Sequence, residues 1–293
     1  MSDAERPQPG AQPKPGPHPQ PGPHPHPQPG PHPRPSHRTA WTVAAALSAV
    51  LVVVPASWQA WSQRATGSGS LNGGSGGRPV TALEIDAGDA TVTVTPRADR
   101  DVVYRAHVRW SLDKPVIEES WAGGTLRLAP RCPGIGPGLD AGPGCMIDLG
   151  VSVPVDLPVT VVAASGKVGL SGLGGAVDVR MGSGPLRLTA LRGPLRAAVD
   201  SGSLGATDLT SPEADIRTGS GSATARFVAP PARLTARAES GQVEVTVPVA
   251  TRFRVTARVG AGRLDVDPAL RDPAGPGLLD IATGSGRAVV RYP

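Results

Sequence analysis

Histidine and cysteine are scarce in this chain, and their scarcity removes several chemistries at once. Six histidines occur among 293 residues, and five of them lie within the first 38. His107 alone remains, so a Ser-His-Asp triad would have to be built on it. It alternates with Arg105 and Arg109, opposite Tyr104, Ala106 and Val108, a pattern that puts it on the solvent side of a strand. The two cysteines, Cys132 and Cys145, have no zinc spacing and no companion histidine. No G-x-x-x-x-G-K-[ST] occurs, and none of the Gly-Ser-Gly units completes G-x-G-x-x-G, so no phosphate cradle is indicated. The aspartates are scattered. Asp178 and Asp215 share a repeat position with Asp280, but on rungs that are not adjacent, whereas glycoside cleavage needs two carboxylates at one site. The regular Asp of the nonapeptide calcium repeat is also missing. These absences point to a non-enzymatic protein with no cofactor and no metal.

Charge is modest as well. The first 38 residues hold 4 basic and 2 acidic side chains, leaving 25 basic and 22 acidic for the rest, a small excess over more than 200 residues. Such a balance lacks the concentrated basic domain that nucleic-acid binding requires.

What the chain does contain is arranged in blocks. Residues 1–38 form a Pro/His/Gln/Gly tract that cannot bury enough apolar surface to offset the entropy of ordering, and read as a disordered tail. Residues 39–61, "TAWTVAAALSAVLVVVPASWQAW", contain no charge. As a helix they would span about 34 Å, enough for a hydrocarbon core of about 30 Å. Trp41, Trp58 and Trp61 sit where interfacial aromatics belong. Arg34 and Arg38 flank the N-terminal side, which places the tail in the cytoplasm and the remainder outside a cell membrane, on a single-pass signal anchor. The alternative is a cleaved signal peptide, against which the long leader argues. Residues 62–78 are Gly/Ser-rich and read as a flexible linker.

From residue 79 to 293 the chain repeats. Corner residues Ser165, Ser183, Ser201, Ser220, Ser240, Ala261 and Ser285 each precede a glycine, at steps of 18, 18, 19, 20, 21 and 24. Three and five positions after each corner the residue is always apolar, from Val168 and Leu170 to Ala288 and Val290. Apolar residues also alternate backward from the corners, as in Val177, Val179 and Met181 or Val255, Ala257 and Val259; Thr218 and Thr283 are the polar exceptions. Period-2 alternation on both sides of a corner means strand, corner, strand. A unit of this length cannot bury its own apolar face, but stacked units can. The expected fold is all-β, a β-solenoid of two-strand rungs of roughly 20 residues, with Ser-Gly corners that exploit the freedom of glycine at positive φ. Residues 97–158 are less regular, with "DVVYRAHVRW" and "TLRLAP" as strands. Outside a membrane, Cys132 and Cys145 are expected to form a disulfide.

The Ser-Gly-x-Val/Leu corners, the Cys pair just before them and the run "VSVPVDLPVTVVAASGKVGLSGLGGAVDV" resemble the bacterial putative-adhesin domain family of unknown function, common in membrane-anchored actinobacterial proteins. The resemblance covers about residues 80–293 and implies a cell-surface β-solenoid, with modules of that kind found near envelope-stress systems. The family's corners usually continue with Asp. Here the residue after the glycine is Lys167, Pro185, Ser203, Ser222, Gln242, Arg263 or Arg287, so a cation-binding role of acidic corners is not carried over.

One candidate binding feature emerges. Three positions before the corners stand Arg180, Ala198, Arg217, Arg237, Arg258 and Ala282. If rungs stack in sequence order, Arg217, Arg237 and Arg258 form a continuous outward ladder, with Arg180 nearby, suited to cell-wall polymer or anionic lipid headgroups. Against this stands an ordinary solvated face in which each Arg pairs with a neighbouring Asp. At the level of function, a surface binding module competes with a structural or sensory ectodomain that meets a membrane signalling protein.

Overall fold

The computed structural model describes residues 67–111, 113–133 and 144–293, and all of them belong to an all-β architecture with one short 3-10 turn. The Pro/His tail and the expected anchor at 39–61 lie outside the described residues. Among the described residues no helix is long and apolar enough to cross a membrane.

The first part of the chain supplies β1 (Gly67–Gly74), β2 (Ala82–Gly88), β3 (Thr91–Arg97), β4 (Val103–Trp110), β5 (Val116–Ala122), β6 (Thr125–Arg131) and β7 (Met146–Pro154). Short strands then alternate between two sheets: β8 (Val159–Ala163), β9 (Lys167–Ser171), β10 (Val177–Met181), β11 (Pro185–Thr189), β12 (Leu195–Val199), β13 (Ser203–Leu209), β14 (Glu213–Thr218), β15 (Ser222–Phe227), β16 (Arg233–Ala238) and β17 (Gln242–Thr246). The chain ends with β18 (Phe253–Val259), β19 (Arg263–Val266), the 3-10 turn Pro268–Leu270, β20 (Gly277–Thr283) and β21 (Arg287–Arg291).

Two large mixed sheets result. One has eleven strands in the order β1-β4-β7-β3-β9-β11-β13-β15-β17-β21-β19, the other ten in the order β18-β20-β16-β14-β12-β10-β8-β2-β6-β5. From β8 to β17 each strand pairs in parallel with the strand two places on, so successive strand pairs stack as rungs. The register carries the sequence repeat into space: Leu186 lies beside Val168 and Leu204, and Leu188 beside Leu170 and Ala206. Those inward residues are at most 2% exposed and fill one continuous core between the sheets. Each buried Leu or Val contributes about 1.5–3 kcal/mol by leaving water.

Three expectations are corrected. First, the Gly/Ser stretch expected to be a linker is a strand: β1 pairs antiparallel with β4 from Gly67↔Trp110 to Gly74↔Val103. Its glycines make room for aromatics, since a Cβ at Gly67 would overlap the Trp110 ring and one at Gly73 the Tyr104 hydroxyl. Second, positive φ is not what most corners need. Gly166 and Gly184 have it, at 89° and 97°, but Gly202, Gly221, Gly241 and Gly286 are not among the positive-φ residues. There a Cβ would overlap the corner carbonyl of the adjoining rung: Gly184 for Gly202, Gly202 for Gly221, Gly221 for Gly241 and Gly241 for Gly286. Glycine recurs because corners stack backbone on backbone.

The third correction concerns order. The last rung in sequence, β20 with β21, is not last in space. It inserts between β16/β17 and β18/β19, so that Leu279 lies between Leu234 and Val255, and Ala288 between Val243 and Leu264. In the inserted rung Leu279, Ile281 and Val290 are at most 1% exposed, while Val259 on the displaced outer rung is 49% exposed.

Cys132 and Cys145 form a disulfide with a Cα–Cα distance of 6.1 Å. It joins the end of β6 in one sheet to the start of β7 in the other.

Candidate functional site

The outer face of the ten-stranded sheet concentrates the charged side chains of the rungs. Two rows run across it. The nearer to the corners reads Arg180, Ala198, Arg217, Arg237, Ala282, Arg258, and the next reads Asp178, Arg196, Asp215, Thr235, Asp280, Thr256. Period-2 alternation on parallel strands in register sends every second side chain outward and aligns them into rows.

The rows place the four sequence-predicted arginines on one face but not in one ladder. Arg217 and Arg237 are lateral neighbours. Arg258 is separated from Arg237 by Ala282 of the inserted rung, and Arg180 from Arg217 by Ala198. The expected continuous Arg217-Arg237-Arg258 ladder is therefore broken, because rung order in space departs from chain order.

Each of these arginines is also paired. Arg180 donates to Asp178 at 3.2 Å and Arg217 to Asp215 at 2.6 Å, each to a residue two positions earlier on its own strand. Arg237 and Arg258 share Asp280, at 2.7 and 3.1 Å, from the two flanking strands. The Asp215 hydrogen bond raises the pKa of Arg217. These are exposed pairs, each contributing about 0–1 kcal/mol. Their larger effect is to neutralise the stripe.

A net positive balance remains. Across β10, β12, β14, β16, β20 and β18 the outward positions hold seven arginines against four acids. Arg196, Arg233 and Arg254 make no ion pair among the described residues. Beside the rows a groove of about 930 Å³ follows the corners, lined among others by Arg217, Arg237, Arg258, Asp200 and Glu239. Its lining carries both signs.

The Ser-Gly corners themselves are not an anion cradle. Their amides are spent on the neighbouring rung: Ser201 donates to Gly182 at 2.9 Å, Ser220 to Asp200 at 2.7 Å, and Ser240 to Gly219 at 2.9 Å. A phosphate would find no free row of N–H groups there. The corner hydroxyls are thereby left for other partners, as in Ser240 beside Ser285 at 3.4 Å.

The sequence did not reveal what surrounds His107. The antiparallel register puts Ser70 on one side of it and Asp148 on the other. His107 and Ser70 are exposed, His107 and Asp148 help to line a shallow cavity of about 230 Å³, and no side-chain hydrogen bond joins the three among the described residues. Nor does any cluster of three or more His, Cys, Asp or Glu able to hold a metal occur among the described residues. Only the pairing of β1, hidden in a glycine-rich stretch, could have signalled the row.

No family model matches the chain, and no curated protein does. Among solved structures it is similar to a "putative cell adhesion protein" of Clostridium sporogenes, with 11% identity, 78% of this chain and 100% of that one covered, and a TM-score of 0.36. It is also similar to a "putative adhesin" of Bacteroides fragilis, at 9% identity, 76% and 97% coverage and a TM-score of 0.39. A "putative lipid binding protein" of Parabacteroides distasonis is similar at 14% identity, with 77% of this chain and 96% of that one covered and a TM-score of 0.41. At this identity and superposition they assign no family to the chain.

Proposed function

We propose that this chain is a non-enzymatic surface binding module of the adhesin-like type, a β-solenoid held outside the cell membrane by the anchor at 39–61, with residues 1–38 in the cytoplasm. Its ligand is a polyanion, taken on the outer face of the ten-stranded sheet. The observation that carries this reading is the Arg excess on six neighbouring strands, seven against four, with Arg196, Arg233 and Arg254 outside any ion pair among the described residues. Arg forks suit phosphate and carboxylate, and a row of weak contacts at strand spacing adds up along a polymer.

The test is co-sedimentation of the full chain with anionic cell-wall material and, separately, with vesicles containing anionic lipid, at low and high salt. Salt-sensitive binding is expected, and replacing Arg196, Arg233 and Arg254 together by Gln should remove most of it. Binding to only one of the two materials identifies the source of the anion. No binding by the wild type at low salt, or unchanged binding by the triple variant, overturns the reading.

A further inference from the structure

The two ends of the rung stack are finished differently. At the β1/β5 end both sheets close with antiparallel strands, β1 on β4 and β5 on β6. Trp110, Trp121, Ile117 and Leu71 pack over the core there. Arg78 lies 5.4 Å over the Trp121 ring and Lys114 5.9 Å over that of Trp110. Tyr104 of β4 donates to Glu119 of β5, tying the sheets together.

The opposite end has half a cap. The turn Pro268–Leu270 covers one side, where Phe253 and Leu270 are fully buried. The other side is open. Val255, Ala257 and Val259 hold the repeat positions that in the adjoining β20 are Leu279, Ile281 and Thr283. The β20 residues are buried, whereas Val255 is half-buried and Ala257 and Val259 are exposed. Leu264 is half-buried in the same way beside buried Ala288. β18 and β19 are also the final strands of their sheets, and beyond Phe253, which is bridged to Arg271, both present an outer backbone edge without a strand partner at the same end. Neither strand contains Pro or Lys, the usual means of blunting an edge. Stacked-repeat folds need their terminal apolar face covered.

We infer that this open end is a docking edge for a second copy of the chain, joined end to end by antiparallel pairing of β18 of one copy with β19 of the other. A two-fold axis along the strands brings these edges together twice. One register satisfies both faces. It sets Val259 opposite Leu264 and Ala257 opposite Val266 on the core side, and Arg258 opposite Asp265 on the outer side. Asp265 makes no ion pair within its own chain among the described residues, and Arg258 is 64% exposed. Pairing β18 with itself about Thr256 would instead oppose Arg254 and Arg258, two like charges. Because the other end is capped, the assembly closes as a dimer and does not run on as a fibre. The contact is made at the end of the stack; of the polyanion face it takes only Arg258, at the margin, and the arginines that carry the proposed function, Arg196, Arg233 and Arg254, lie outside the proposed register, so the dimer does not depend on polyanion binding.

Sedimentation velocity of the full chain in detergent, over a range of concentrations, tests this. The wild type is expected to form a dimer that dissociates on dilution. Asp265→Arg should weaken it by about tenfold or more, with circular dichroism and melting unchanged. Val259→Arg should do the same through the apolar side. The exchange Arg258→Asp with Asp265→Arg should restore the dimer. A wild type that stays monomeric, a dimer untouched by Asp265→Arg and Val259→Arg, or an exchange that fails to restore what Asp265→Arg removes each overturns the β18–β19 pairing.

Discussion

Arg237 reaches Asp280 at 2.7 Å across 43 positions of sequence. The contact exists because β20 has slipped in beside β16, and the same carboxylate holds Arg258 on its other side. Removing its charge therefore frees two arginines at once. Asp280→Asn should cost less than about 1 kcal/mol, since the groups are partly solvated, while strengthening salt-sensitive binding to anionic polymer. The melting temperature and a co-sedimentation isotherm check both halves. Weaker binding would mean that these arginines do not face the ligand.

The inward register is tested by neighbouring residues. Leu188 is fully buried and Arg187 is exposed. Leu188→Asp should cost several kcal/mol, about 3 or more, by burying an unpaired charge. Arg187→Asp should stay within about 0.5 kcal/mol. Urea unfolding of both variants gives the comparison, and equal damage would refute the assigned face.

Glycine at the corners can be separated from glycine elsewhere. A Cβ at Gly221 would overlap the Gly202 carbonyl, whereas at Gly205, on an outward strand position, nothing lies within 4 Å. Gly221→Ala should destabilise by about 1–3 kcal/mol because backbone must shift. Gly205→Ala should be neutral or slightly stabilising, by about 0.4–1 kcal/mol. Thermal melts of the two variants distinguish steric stacking from a general loss of flexibility.

Tyr104 supplies a pH signature. Burial, and then the hydrogen bond to Glu119, push its hydroxyl pKa well above the ordinary 10.0. A raised folded pKa means that the contribution is fully present below pH 10.0 and is lost as pH rises beyond it, because the unfolded chain ionises first. Tyr104→Phe should lose about 1 kcal/mol at neutral pH, and the gap to wild type should narrow above pH 10.0. Denaturation midpoints across that window measure it, and a constant gap would exclude the mechanism.

Residues near in sequence determined a great deal. Alternation around Ser183 or Ser240 sufficed to identify all-β structure, the corners and the inward face, because strand period and corner chemistry are local properties. The disulfide of Cys132 and Cys145 followed from two cysteines and an expected compartment. The face that carries Arg180, Arg217, Arg237 and Arg258 was equally legible, since outward positions follow from the same period. Their neighbours were not. Whether Arg258 abuts Arg237 depends on which strand pair lies between them, and no local signal orders the stack: β20/β21 and β18/β19 are both suitable rungs of similar inward bulk, and only the pairing of distant strands fixes their order. The same global competition leaves Val259 at an open end although its pattern matches that of buried Val199. Likewise β1 reads as linker because its glycines carry no period, and only the aromatic side chains of Trp110 and Tyr104, brought across from β4, make a strand of it.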